Sequence, residues 1–218
     1  MAAGNVPQVT EPSFLREIRT AYDAVAADYA ELLRDALAGS PFDRAMLGAF
    51  AELADGPVAD LGCGPGRITA HLASLGTDVF GVDLSPEMIA VARRLHPGLR
   101  FEEGSLLGLD LPDAELAGAV AWYSIIHTPP EHLPAVFAEF ARVLKPGGHL
   151  LLAFQTGEGQ PRHLSHAYGH DLSLDAYRLS PGNVVKLLTE AGFAMHAQLV
   201  REPEGPEKTP QAYLLARH

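Results

Sequence analysis

Short continuous apolar runs alternate along the chain with stretches whose apolar residues recur at three- and four-residue steps, and the two periods predict strands and helices. The first helical stretch runs from Pro12 to about Leu37, with Tyr22, Val25, Tyr29 and Leu33 on one face. Ser40-Pro41 supplies a cap residue and a proline at the first helical position, and opens a second helix with apolar face Phe42, Met46, Ala49, Phe50 and Leu53. Gly56-Pro57 stops it. Val58 to Leu61 reads as a strand, and after a run of glycines the helical period returns from Arg67 (Ile68, Leu72, Leu75) until Gly76. Further strands are predicted at Asp78–Asp83, Leu99–Glu103, Ala117–Ile126 and His149–Phe154. Ser85-Pro86 opens one intervening helix; Leu133, Val136, Phe137, Phe140 and Leu144 mark another, ended by Lys145-Pro146-Gly147-Gly148.

Towards the C-terminus, Ser180-Pro181 caps a last helix (Val184, Val185, Leu187, Leu188) that ends at Gly192. Phe193–Val200 and Ala212–Ala216 then close as strands, and the acidic, proline-bearing loop at 202–210 suits an antiparallel hairpin. Residues 155–179 follow neither period. Strands alternating with helices predict a doubly wound, mostly parallel α/β sheet with helices on both faces, its centre the almost wholly apolar Ala117–Ile126. A chain of 218 residues fits one such domain, 1–218, with residues 1–11 loose.

The first strand and its turn, Val58-Ala59-Asp60-Leu61-Gly62-Cys63-Gly64-Pro65-Gly66-Arg67, carry the first chemical signal. Glycines between a strand and a helix allow left-handed backbone and let a ligand approach bare amides. A dinucleotide site needs G-x-G-x-x-G, but Arg67 stands where the third glycine would fall, and the Gly-Lys-Ser/Thr ending of a phosphate-binding loop is absent. Asp83 ends the second strand, 17 residues past Gly66, at the sheet edge where ligands of open α/β sheets lie. It could cap the following helix, but Ser85 already fills that role. The carboxylate is thereby free to accept from two ribose hydroxyls.

D-x-G-x-G-x-G after an apolar strand, with Gly81-Val82-Asp83-Leu84-Ser85-Pro86-Glu87-Met88-Ile89 and the Arg142-Val143-Leu144-Lys145-Pro146-Gly147-Gly148 turn, resembles the class I S-adenosylmethionine-dependent methyltransferases, in particular the branch acting on quinones and natural products. The resemblance spans about residues 15–155. It implies a seven-stranded sheet with an antiparallel last strand, S-adenosylmethionine as cofactor and S-adenosylhomocysteine as product. It places Asp60, Gly62, Gly64 and Gly66 at the methionine end, Asp83 and Leu84 at the ribose, and Ser105 and Leu106 at the adenine. Ser105 stands where the family usually has aspartate. Tyr22-Asp23-x-x-Ala26-x-x-Tyr29 resembles the family's tyrosine lid, which makes residues 1–39 an N-terminal helical lid; the alternative is a plain core stripe.

His127 emerges after the central strand, where cofactor and acceptor would meet, and an imidazole there can serve as a base or simply be structural. Trp122 or Tyr123 would pack on cofactor or acceptor. His163, His166 and His170 would share a face if helical, which permits a metal site, but the flanks lack a ligand set and no metal is assigned. Residues 156–179 are read instead as an acceptor lid inserted after the fifth strand.

Composition narrows the partners. A formal charge of −11 without a compensating Lys/Arg cluster disfavours nucleic acid and acidic membrane surfaces. The single cysteine, Cys63, rules out disulfides within the chain and fits a reducing cytoplasm. No apolar run approaches the roughly 20 residues of a membrane span, and Met1–Thr10 lacks the order of a signal peptide. The expected partner is a small-molecule methyl acceptor, for a monomer or homodimer. Two rivals stay open: a nicotinamide oxidoreductase, and a protein that binds the cofactor without transferring methyl.

Overall fold

A computed structural model describes residues 11–218; all but Glu11 of the segment expected to be loose, and the whole N-terminal stretch compared with a signal peptide, lie outside the described residues. Nine strands and six α-helices follow one another as α1 (Ser13–Leu32), α2 (Pro41–Leu53), β1 (Val58–Leu61), α3 (Arg67–Ser74), β2 (Val79–Asp83), α4 (Pro86–Leu95), β3 (Phe101–Glu103), β4 (Leu116–Trp122), α5 (Leu133–Val143), β5 (Leu144–Gln155), β6 (Pro161–Ala167), β7 (His170–Tyr177), α6 (Pro181–Glu190), β8 (Ala194–Arg201) and β9 (Gln211–Arg217). Seven strands form one sheet in the order β3-β2-β1-β4-β5-β9-β8. Neighbours from β3 to β5 are parallel, and β9 runs antiparallel to both β5 and β8. This is the doubly wound, mostly parallel sheet that the alternating pattern predicts, with the seven strands and antiparallel last strand that the resemblance implies.

The sheet is apolar on both faces. Leu150, Leu152 and Phe154 of β5 point with Phe137 and Phe140 of α5 and Leu188 of α6 into one core. Leu151 and Ala153 point the other way, to Leu47 and Phe50 of α2 and Leu72 of α3. Each fully buried side chain of this size contributes about 1.5–3 kcal/mol, so burial on both faces holds the parallel strands together. The ladder steps from Leu116–Leu144 to Gly118–His149, so Lys145–Gly148 bulge out as the expected turn inside a longer β5.

Five details differ from the sequence reading. The first helix ends at Leu32, and residues 33–39 form turns. The buried face of α2 is Asp43, Leu47 and Phe50, while Phe42 and Leu53 are 42% and 37% exposed; reading the stripe one residue early put a polar residue outside that belongs inside. Neither Ser40 nor Ser180 caps with its side chain, and Ser40 Oγ donates to the Ala36 carbonyl instead; Ser85 does cap, accepting from Met88 N at 3.1 Å. The central strand stops at Trp122, and one 3₁₀ turn, Ile125–His127, follows. Residues 161–177 are an antiparallel hairpin, β6–β7, turned at Tyr168-Gly169 with positive φ at both. Two residues with positive φ match a right-twisted hairpin, and the strand period was hidden by mostly polar residues on both faces.

Inside β1, Asp60 is fully buried between apolar neighbours. Its Oδ2 accepts from Thr69 Oγ1 at 2.7 Å, and Oδ1 has no partner. Burial pushes its pKa up to about 7, opposed by the Thr69 hydroxyl and the Arg67 charge. Between the ordinary carboxylate pKa and about 7 the folded chain holds a proton that the unfolded chain has released, so stability falls as pH rises through that window. Urea unfolding between pH 4 and pH 7 should show this loss, at a slope of up to about 1.4 kcal/mol per pH unit from this group. Asp60→Asn should flatten it, and an unchanged slope would assign the pH dependence elsewhere.

Candidate active site

The chain leaves β1 through Gly62, Gly64 and Gly66, with φ of +77°, +53° and +84°. All three need the left-handed region, but their surroundings differ. A Cβ on Gly62 would lie 2.2 Å from Ser124 Cβ, and one on Gly66 2.7 Å from the Phe101 ring. A Cβ on Gly64 would meet nothing closer than the Tyr29 ring at 3.8 Å. Gly62 and Gly64 line a cleft at the carboxyl ends of β1, β2 and β4. Gly66 does not; it packs against Phe101 and forms the N-cap of α3.

Of the residues singled out in the sequence, Tyr22, Tyr29, Gly62, Gly64, Asp83, Leu84, Leu106, Trp122 and His127 all line this one cleft. Asp60 lies behind the glycine turn, within the sheet. Ser105 faces away, and its hydroxyl accepts from Leu107 N at 3.2 Å, which leaves Gly104, Leu106 and Leu107 as the wall there. Leu15 and Ile18 of α1 and Val136 of α5 also line the cleft and were missed. Leu15 and Ile18 extend the Tyr22–Tyr29 stripe one turn towards the N-terminus at helical spacing, and that period was the available signal.

Asp83 is bound from two sides: Oδ2 accepts from Gly64 N at 2.8 Å and Oδ1 from Ser85 N at 2.9 Å. Burial raises its pKa, and these amide bonds oppose the rise. Each carboxylate oxygen keeps a further lone pair. Helix α1 is fastened over the cleft by Asp23, which accepts from Ser85 Oγ at 2.5 Å and Glu87 N at 3.3 Å at the start of α4. Asp23 belongs to the tyrosine motif, and its carboxylate docks α1 onto α4.

His127 is buried, with both ring nitrogens engaged. Nδ1 lies 2.9 Å from the Asp175 carbonyl of β7, which can only accept, so Nδ1 carries the hydrogen. Nε2 is therefore the acceptor, and the Tyr22 hydroxyl donates to it at 2.7 Å. Burial lowers the His127 pKa and raises that of Tyr22, so both groups are neutral at pH 7. The β6–β7 hairpin closes over this pair. Tyr168 at its tip meets the Tyr29 ring edge-on, centroids 4.9 Å apart, and His170 Nε2 donates to Asp28 Oδ2 of α1 at 2.7 Å. His163 and His166 donate to Asp175 and Asp171 of the same hairpin, so the three histidines do not converge, and no cluster able to hold a metal occurs among the described residues.

Tyr22, Tyr29, Trp122, Tyr123 and His127 form a wall between this cleft and a second cavity of about 540 Å³. The cavity lies between the hairpin, the start of α2, Arg67 of α3 and the β8–β9 connection. Tyr123 is held in place with φ of +57° by its hydroxyl, which donates to Gln211 Oε1 at 2.8 Å. The Trp122 Nε1–H and the Arg67 Nη1 are buried without partners.

Comparison with known proteins meets this geometry from outside. Residues 58–148 match a family described as a methyltransferase domain. The chain is 35% identical over 123 residues to a trans-aconitate 2-methyltransferase of Sinorhizobium medicae, covering 56% of this chain and 47% of that one. It is 37% identical over 92 residues to a demethylmenaquinone methyltransferase of Chlorobaculum parvum, covering 42% and 37%. The chain thus spans about half the length, or less, of these curated relatives. Among solved structures, the 1,6-didemethyltoxoflavin-N1-methyltransferase of Burkholderia thailandensis, with bound 1,6-didemethyltoxoflavin and S-adenosylhomocysteine, shares the fold with a TM-score of 0.73 at 22% identity, over 99% of this chain and 93% of that one. Sheet order, glycine turn and family match point the same way: residues 58–148 match a methyltransferase domain, and the fold around them is one shared with solved methyltransferases.

Proposed function

We propose that the protein transfers the methyl group of S-adenosylmethionine to a nucleophilic atom of a small molecule. The observation that carries this reading is the Asp83 carboxylate beside the bare backbone of Gly62 and Gly64, at the carboxyl ends of β1 and β2. The cleft suits a nucleoside: an acceptor-only carboxylate for ribose hydroxyls, apolar Leu106 and Leu107 for a base, and the side-chain-free backbone of Gly62 and Gly64 for the methionine end. Gly66 and Asp60 support the turn from behind, and Leu106 rather than Ser105 faces the adenine. Curated relatives named for trans-aconitate and demethylmenaquinone support a small organic acceptor. The negative chain and its one buried cysteine support a cytoplasmic enzyme that leaves nucleic acid and membranes alone. No helix among the described residues is long and apolar enough to cross a membrane.

The cofactor, when bound, supplies an electrophilic methyl on a positively charged sulfur. The chain's task is alignment in a water-poor site, which can lower a barrier by about 7–11 kcal/mol. The lid formed by α1 and by residues 156–179 excludes water, with Tyr22, Tyr29 and Tyr168 closing over the wall. With these rings in place the cleft is narrow, about 90 Å³, below the roughly 300–1,000 Å³ of ordinary ligand sites, so the groups that line it must give way as a ligand enters. If the acceptor loses a proton, the geometry routes it through the Tyr22 hydroxyl, which passes its own hydrogen to His127 Nε2. His127 then acts through Tyr22, and the Asp175 carbonyl stabilises the charge on Nδ1–H.

Calorimetric titration with S-adenosylhomocysteine tests the cofactor site. Asp83→Ala should weaken binding by at least tenfold, since each charge-assisted hydrogen bond is worth about 1.5–3 kcal/mol, while the far-ultraviolet circular dichroism stays native. Asp83→Asn should fall between. Equal affinity in all three proteins rejects the ribose assignment. For the proton route, Tyr22→Phe and His127→Ala should lower kcat by about 10²–10⁴-fold and alter its pH profile alike. A rate and profile that stay put in both would leave alignment as the only contribution.

A further inference from the structure

We propose that the 540 Å³ cavity behind the aromatic wall is the acceptor site and that it takes an organic polycarboxylate, an inference that rests on the methyltransferase reading above. Its volume falls in the range of small-molecule sites. Five cationic side chains line it, Arg67, Arg162, Arg178, Arg201 and Lys208, against two acids, Asp43 and Glu207. Both acids are already engaged. Glu207 forms a two-pronged pair with Arg201 at 2.6 Å for each contact, and Asp43 accepts from the Tyr213 hydroxyl at 2.5 Å. The four remaining cations form no ion pair among the described residues. In a chain of formal charge −11 this cavity therefore carries the opposite sign.

The cations come from three separate elements. Arg67 heads α3, Arg162 and Arg178 flank the hairpin, and Lys208 sits in the β8–β9 connection. Arg67 occupies the positive end of a helix dipole, a position that disfavours a cation, so helix stability does not explain it. Its Nη1 and the Trp122 Nε1–H are buried, can only donate, and have no acceptor. A buried unpaired donor is a standing penalty that a ligand oxygen removes. A neutral acceptor would leave all four charges unanswered. Cations spread over three walls suit several separate carboxylates better than one compact phosphate, which typically sits on a cluster of backbone amides. Arginine pairs with carboxylates in parallel two-bond geometry, and such contacts would place the acceptor's reactive end against Tyr22 and Trp122.

Calorimetry on the full chain tests this, with citrate and tricarballylate as probes, trimethyl citrate as the uncharged control and inorganic phosphate as the compact anion, each with and without S-adenosylhomocysteine. A tricarboxylate should bind, and its Kd should rise about tenfold in Arg162→Ala and again in the double variant with Arg178→Ala, the equivalent of roughly 1.4 kcal/mol each. Both residues lie outside the cofactor cleft, so the affinity for S-adenosylhomocysteine should stay the same in these variants. Absence of tricarboxylate binding, equal binding of the triester, tighter binding of phosphate, or indifference to both substitutions would overturn the proposal. Arginine-dependent tricarboxylate binding without any S-adenosylhomocysteine binding would uphold the anion cavity and sink the methyltransferase reading instead.

Discussion

The structure depends on a knot of backbone hydrogen bonds where the first two strands end. Gly62 N and Cys63 N both donate to the Val82 carbonyl, at 2.7 and 3.0 Å, and Gly64 N donates to Asp83. Three consecutive turn residues are thus tied to the two that close β2, and the glycine turn cannot move independently of Asp83. A turn of this shape requires positive φ, which only glycine adopts without penalty. The same turn brings the side-chain-free backbone of Gly62 and Gly64 to the edge of the cleft beside Asp83. One constraint therefore produces both the chain reversal and the binding edge.

The knot extends to α1 and the β6–β7 hairpin. Asp83 holds Ser85 N, Ser85 Oγ donates to Asp23, and Asp23 lies one residue beyond Tyr22, whose hydroxyl reaches His127. His127 in turn donates to the backbone of β7. A two-stranded hairpin has too little core to stand alone, so β6–β7 depends on these contacts and on Tyr168 against Tyr29. Helix α1 and the β6–β7 hairpin are held over the cleft by a few polar and aromatic contacts, whereas the sheet is held by burial on both faces. Local opening free energies follow that difference, and the elements that must admit ligands are the less strongly held ones.

Legibility in the sequence followed the same division. The parallel sheet was readable because buried strands are continuous apolar runs, and glycine with an acidic residue at a strand end has few other uses. Asp83 could be placed for that reason. Ser105 could not, because a serine in a turn satisfies a neighbouring amide as readily as a ligand, and here it bonds Leu107 N. The hairpin was opaque: its strands are half-exposed on both sides, so no period-two pattern marks them, and the histidine spacing imitates a helix. Asp60 illustrates a different limit. A motif shows that an acid is required at that position, while burial, visible only in three dimensions, decides that it works from behind the turn.

The cationic cavity follows from topology more than from local sequence. Arg67 and Lys208 are 141 positions apart in the chain, and a linear reading shows no basic cluster. They meet because β9 runs antiparallel between β5 and β8, which brings the 202–210 connection to the same sheet edge as the glycine turn. A negative surface surrounding a positive cavity weakens long-range attraction for an anion, since charges beyond about 8–10 Å are largely screened at ordinary ionic strength, but hardly alters the field inside. Selection then operates at short range. An anion held between Arg162 and Arg178 on the hairpin and Arg67 on α3 would bridge the weakly held lid to the rigid sheet, so acceptor binding and closure of the site become one event.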